Sequence, residues 1–456
     1  MLPPLRKQKL TKIKTEHGKK ISILHKKAYR LKEPTTQLLT EWNGILKHMT
    51  SDITLPGFKR NSSWRLKDKD DYHREVKPWC IIRDKTCVTG DVAWNLFSSF
   101  FGWLTLHENL GGKNISLENL SHSYLSDANL VWEYLTWRRD RSGAYTAETS
   151  TFINKCMALI RKETGWLEQN PEIFSARITT NNLTWPEWCD KNHNIFSSIL
   201  NDLFKNKLIT EGRDPKSPIN LILETEHPMN ALHELRDRMR ADINQRSSSP
   251  ISTARQLRDE LLINLLSTNP LRINMYAVMT YRENGTGNLF KTKDGEWRLF
   301  FKSHQFKNEK GAANEDYSVS ISKDVWPLID NYIKNYHHLL LNGVESDIVF
   351  PVFPQHNNKK NWGRCTEYIG QCVTNSTLRY IPDYSPSGFG PQAFRHIIAT
   401  DYLKNNPNGF QIVANVLHDK IETVMKNYAH LKVADGMSHF LKYAERCRAE
   451  YLKSGN

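Results

Sequence analysis

The chain has 456 residues, and a hydrophobic fraction of 39% with 13 Trp is that of a folded protein of two or three domains, which excludes a disordered one. Lys+Arg 63 against Asp+Glu 49 leave a formal charge of +14, so a polyanion is the expected partner, nucleic acid before an acidic protein. Scattered cysteines without CxxC spacing exclude a zinc module, no run of about 18 apolar residues can span a membrane, and no secretory signal is present, so an intracellular protein with reduced cysteines is expected.

Residues 1–84 form a basic N-terminal extension, with Lys19 and Lys20 among many cations at its start. It is read either as an arm that contacts phosphates by counterion release or as a solvated terminus. Over 85–170 apolar residues recur at helical spacing, first Trp94, Phe97, Phe101 and Leu104, then Leu130, Tyr134 and Trp137, then Phe152, Cys156, Leu159 and Ile160. Several helices should pack together here. Arg138, Arg139 and Arg141 end one of them and face either a DNA backbone or solvent.

Residues 171–250 read as a linker with short helices, closed by the Arg246-Ser247-Ser248-Ser249-Pro250 stretch. A second domain, 251–456, follows. It opens with helices over 255–266 and 272–278 and continues with a hairpin from strands 297–302 and 317–322. Helices are expected at 325–341, 361–374, 392–405, 410–417 and 420–428. The predicted fold class is mainly α with a small β-hairpin or sheet. Asp419 and Glu422 have the D-x-x-E spacing of a helix-capping signature, which puts His418 just before a short helix and Tyr428 at its end.

Two segments, AFRHIIATDYL (393–403) and VLHDKIETVMKNYAH (416–430), resemble the C-terminal signature of tyrosine recombinases, the phage-integrase superfamily. The resemblance puts Arg395 at the family's second arginine, His418 at its His/Trp position and Tyr428 at its nucleophile. Upstream, STNPLRINMYAVMTY is similar to the first arginine box and gives Arg272 that role. The hairpin WRLFFKSHQFKNEKGAANEDYSVSIS supplies the catalytic lysine, with Lys307 the best match and Lys302 and Lys310 the alternatives. Where most members have His, three residues before the second arginine, this chain has Gln392, which cannot exchange protons. His396, next to Arg395, should point elsewhere on its helix.

The residue types suit the chemistry. Two arginines can clamp the non-bridging oxygens of a phosphodiester with forked, permanently charged donors. A phenol of pKa about 10 needs such cations to become a nucleophile, and a hairpin lysine can protonate the leaving 5′-oxygen. The resemblance further implies a helical core-binding domain at 85–170 and a homotetramer that assembles on synapsed sites in double-stranded DNA from a monomer. It implies a nucleoid-associated protein of bacterial or phage origin, with neither metal nor cofactor. Two other activities stay open, relaxation of the type IB topoisomerase kind and DNA binding without cleavage.

Overall fold

In a computed structural model, the described residues are 29–68, 76–210, 214–245, 249–306, 315–352, 366–428, 430 and 433–454. They are mostly helical with two small antiparallel sheets, the predicted class. Two compact units divide them, one of residues 29–68 and 76–210 and the other of 214–454.

The first unit is built around aromatic side chains. Helix Val88–Leu104 is apolar on nearly every side, which demands burial on every side. Trp94, Phe97, Phe100 and Trp103 are enclosed by Trp42 of helix Thr36–Thr50, Tyr134 of Ala128–Ser142 and Phe152 of Ala147–Ile160. Gly102 permits the closest approach, because a Cβ there would lie 1.9 Å from the Tyr29 carbonyl oxygen. Asp127 caps the 128–142 helix by accepting from the Asn129 and Leu130 amides, and Gly143, at φ 83°, ends it. Strands β1 (Lys67–Asp68), β2 (Ile81–Ile82) and β3 (Lys85–Thr86) form a small sheet in the order β1-β3-β2.

The expected boundaries shift for a packing reason. Helix Thr36–Thr50 falls in the expected extension, yet Leu38, Trp42, Ile45 and Leu46 bury one face of it in this core. Likewise, the expected linker holds helix Trp185–Lys205, started by Pro186 and the Thr184/Glu187 capping pair. That helix buries Trp185, Trp188, Phe196, Leu200 and Leu203 in the same core. The later part of the linker, including helix Asn230–Gln245, belongs to the second unit, where Leu232, Leu235 and Met239 are buried. No boundary falls at 250. Arg240 Nε of that helix donates to Glu260 Oε1 at 2.9 Å, tying it to helix Pro250–Thr268.

Helix Pro250–Thr268 is the axis of the second unit, buried without a break from Glu260 to Ser267. Packed against it are helices Asn230–Gln245, Thr366–Tyr380 and Pro391–Asn405, together with the 326–341 helix, which contains a π turn at Tyr332–Tyr336. The expected hairpin is present as β5 (Trp297–Phe301) and β6 (Tyr317–Ser320), and β4 (Leu289–Lys291) extends it to a sheet ordered β4-β5-β6. On β5, Trp297, Leu299 and Phe301 are buried while Arg298 and Phe300 are half-exposed, the alternation of a one-sided sheet. Ile321 and the two helices Phe410–Leu417 and Ile421–Asn427 complete the ground on which the candidate site stands.

Candidate active site

Tyr428 caps helix Ile421–Asn427, and its ring lies in a small core with Ala399, Leu403, Val413, Ala414, Leu417 and Val424. The residue is 4% exposed. Its hydroxyl accepts from Gln392 Nε2 at 2.7 Å and from Arg395 Nε at 3.3 Å, and the Arg395 guanidinium lies 5.1 Å from the ring centroid. Gln392 and Arg395 are three apart on helix Pro391–Asn405, the spacing that puts two side chains on one face, so a single helix presents both donors. Thr400 on the same helix donates from Oγ1 to the Tyr428 carbonyl at 3.1 Å.

Arg395 is 1% exposed and fully engaged: Nη1 donates to the Pro270 carbonyl at 2.6 Å and Nη2 to Asp419 Oδ2 at 3.0 Å. Arg272 reaches the same oxygen, donating from Nη2 at 2.7 Å. The loop that carries Arg272 is held by the Tyr276 hydroxyl, which donates to the Asn269 and Leu265 carbonyls. Asp419 therefore joins both arginines and is no helix cap. Lys420 occupies the N-cap of helix Ile421–Asn427, and no side chain caps it. The capping reading fails because two guanidinium groups, the buried one of Arg395 and the part-exposed one of Arg272, compete for the carboxylate, and charge-assisted pairs outweigh one bond to a backbone amide.

His418 ends helix Phe410–Leu417 in the left-handed region, at φ 50° and ψ 53°, where Gly or Asn is usual. The turn sends its ring against Phe306 and Tyr317, at centroid distances of 4.3 and 5.5 Å. Phe306 and Tyr317 flank the expected lysine segment, so the described roots of the hairpin reach His418. Lys307 and Lys310 themselves lie outside the described residues, and Lys302 is exposed at the end of β5. Burial, and then the Arg272 cation, hold the His418 pKa below the ordinary imidazole range. Its Nε2 is buried and makes no hydrogen bond to the described residues.

His396 does not turn away from this cluster. Its ring lies 4.8 Å from that of Tyr428, and its Nδ1 pairs with His430 Nε2 at 2.8 Å. Burial, His430 and Arg395 push His396 down to about 4, and burial followed by Lys216 does the same to His430. The folded chain thus refuses protons that the unfolded chain takes up at imidazole pKa values near 6.5. This contribution to stability is complete above that value and falls as pH drops from about 6.5 towards about 4. The double variant His396→Gln/His430→Gln should flatten the pH dependence of the denaturant midpoint across that window; an unchanged slope would show that other groups set it.

The remaining sequence-derived candidates are in the first unit or beyond the described residues. Arg138 donates to Glu148 at 2.8 Å, Arg139 donates to Asp140 and to the Tyr145 hydroxyl, and Arg141 lies 4.5 Å from the Trp137 ring centroid. Arg138 and Arg139 are therefore engaged within their own unit. Lys19 and Lys20 lie outside the described residues. Among those residues no group of three or more His, Cys, Asp or Glu is placed to hold a metal, and no helix is long and apolar enough to cross a membrane.

Sequence reading missed Asp419, Pro270 and Thr400 as members of this cluster. The one signal for Asp419 was a carboxylate directly after a histidine in an arginine-rich context, and helix capping explained it equally well.

No protein-family model matches the chain, and no curated protein sequence matches it. Among solved structures it is similar to one titled "Crystal structure of XerA recombinase", with 13% sequence identity and a TM-score of 0.32. That alignment covers 71% of this chain and 98% of the other.

Proposed function

We propose that this protein cleaves and rejoins double-stranded DNA through a 3′-phosphotyrosyl intermediate on Tyr428, as a site-specific recombinase of the tyrosine type. The observation that carries the reading is the convergence, within one chain, of Tyr428 with Gln392 and Arg395 and of Arg272 and Arg395 with Asp419, the residue after His418, from four separate segments. A phenol between a guanidinium and an amide donor has its developing phenolate stabilised. The buried His418 Nε2, which bonds to none of the described residues, is a polar atom suited to a phosphate oxygen.

In this reaction Tyr428 Oη passes its proton to solvent and bonds to phosphorus, the bond from phosphorus to the 5′-oxygen breaks, and that oxygen takes a proton from the hairpin lysine, which solvent reprotonates. Attack of a 5′-hydroxyl on the phosphotyrosine reverses each change and rejoins the strand. Arg395 and Arg272 stabilise the charge on the non-bridging oxygens, provided that DNA shares or displaces the Asp419 carboxylate. Gln392 supplies a neutral donor to the phenol oxygen. Gln392→Leu is therefore expected to slow cleavage about 10²-fold or more with DNA affinity unchanged, and Gln392→His to retain most of the rate. Single-turnover cleavage assays check both.

Covalent trapping tests the whole reading. Full-length protein is incubated with nicked suicide duplexes drawn from its genomic flanks, and the adduct is digested and mapped by mass spectrometry. A phosphonucleotide on Tyr428 is the expected product; specific binding to a demonstrated site without an adduct would overturn it.

Two observations favour a second reading, a DNA-binding relative that does not cleave: Asp419 accepts from both arginines, and Tyr428 is almost wholly buried. The trapping experiment separates the two, and a supercoil-relaxation assay separates site-specific recombination from type IB topoisomerase activity. Assembly belongs to the same proposal. Helix Val433–Ser454 exposes Phe440, Leu441, Tyr443 and Leu452, an apolar set suited to docking on a neighbouring protomer in a tetramer on two synapsed DNA sites. A tetramer is expected by light scattering with cognate DNA and only monomers after removal of residues 433–456; a monomer per site in the intact chain would end this part.

A further inference from the structure

The first unit contains a cleft of about 300 Å³, at the small end of the range used for small-ligand sites. Its polar lining is one-sided. Arg60, Lys155 and Arg161 line it together with Asn154, Trp64 and Trp166, and no Asp or Glu does. Glu163, close in sequence, is already bonded to Lys59 at 3.0 Å.

Lys155 projects from helix Ala147–Ile160, with Nζ 5.1 Å from the Trp64 ring centroid. It is half-buried, and burial lowers its pKa, the cost of a cation removed from water without a full counter-charge. Arg60 is positioned by its own contacts, donating from Nη1 to Ser51 Oγ at 3.1 Å and to the His48 carbonyl. Arg161 follows the last turn of the 147–160 helix, where the carbonyl ends favour a cation. Trp166 is held in the wall by His48 and Phe58, at ring-centroid distances of 4.9 and 5.1 Å. The cleft thus combines a cluster of cations with indole surface, and an anion with a flat apolar body satisfies both.

We propose that this cleft binds a nucleotide unit, its phosphate met by Lys155, Arg60 and Arg161 and its base by Trp64 and Trp166. Stacking of a base on an aromatic side chain and charge-assisted bonds to phosphate are the two terms by which proteins hold unpaired nucleotides. A free nucleoside monophosphate and an unpaired nucleotide within a DNA strand present the same chemistry. The site is independent of chemistry at Tyr428.

Photocrosslinking of the full-length chain tests this. The probes are 5-iodo-deoxyuridine monophosphate, a duplex with one unpaired 5-iodo-deoxyuridine, and the same duplex with that base paired, and adducts are mapped by peptide mass spectrometry. Adducts on Trp64 or Trp166 are expected, at least about tenfold weaker in Lys155→Met/Arg161→Met and retained in Lys155→Arg. Labelling by the monophosphate identifies a free nucleotide as occupant, and labelling by the unpaired duplex alone identifies a DNA-borne one. No wild-type adduct on either tryptophan with any probe would overturn the proposal, as would labelling that a folded Lys155→Met/Arg161→Met protein keeps in full or that is equal for the paired duplex. The Tyr428 adduct on suicide duplexes, measured in the same preparations, reports separately on strand cleavage.

Discussion

Tyr428→Phe is expected to reduce the covalent protein–DNA adduct by about 10³-fold or more, to below detection, while site-specific DNA binding stays at the wild-type level. The change removes only the oxygen that would bond to phosphorus. The ring remains in the core formed by Ala399, Leu403, Leu417 and Val424, and no charge is altered. Gln392 and Arg395 each lose an acceptor, which costs about 1–2 kcal/mol of stability, too little to unfold a domain of this size. The measurement pairs the trapping assay with a gel-shift titration and a denaturant midpoint. Adduct that persists in the Phe variant would assign the covalent bond to another residue, whereas binding lost along with the adduct would mean that Tyr428 acts in DNA recognition.

Asp419→Ala is expected to destabilise the second unit by about 3–5 kcal/mol and to abolish cleavage in whatever protein remains folded. Its carboxylate and the Arg395 guanidinium are each 1% exposed, so removing the acid leaves a buried cation with the Pro270 carbonyl and the Tyr428 hydroxyl as its partners among the described residues. Arg272, at 29%, can turn to water and contributes less to the loss. A double-mutant cycle isolates the cause. In an Arg395→Leu background Asp419→Ala should cost far less than in the wild type, because the stranded charge is gone. Equal cost in both backgrounds would mean that Asp419 acts through the bond it accepts from the Lys420 amide. Asp419→Asn keeps the shape and a hydrogen-bond acceptor; it should fold yet cleave poorly if the charge itself holds the two arginines in register.

Local features of the chain were legible wherever period and capping agree. The helices at 391–405 and 410–417 and the β5-β6 hairpin lie within a residue or two of expectation, since each combines a clear apolar period with Pro, Gly or strand-forming residues at its ends. The 36–50 helix is hidden in the sequence by the run of cations that precedes it. Its apolar residues at 38, 42, 45 and 46 follow the helical period none the less. Helix 185–205 resembles part of a linker in sequence because its Trp, Pro and Glu opening is irregular, and its regular feature is the burial of Trp185 and Trp188.

By itself the sequence determined the fold class, the residue types of the candidate site and the i, i+3 pairing of Gln392 with Arg395, all of which depend on spacing along one helix or strand. Only the tertiary structure decided that Asp419 joins Arg272 to Arg395 across separations of 147 and 24 residues. It also decided that His396 lies against Tyr428 and that three cations share a cleft with two tryptophans in the first unit. The physical reason is common to all three. A charged or polar side chain is assigned its partner by competition among every group that folding brings within a few ångströms, and that competition is settled by burial, which sequence spacing does not encode.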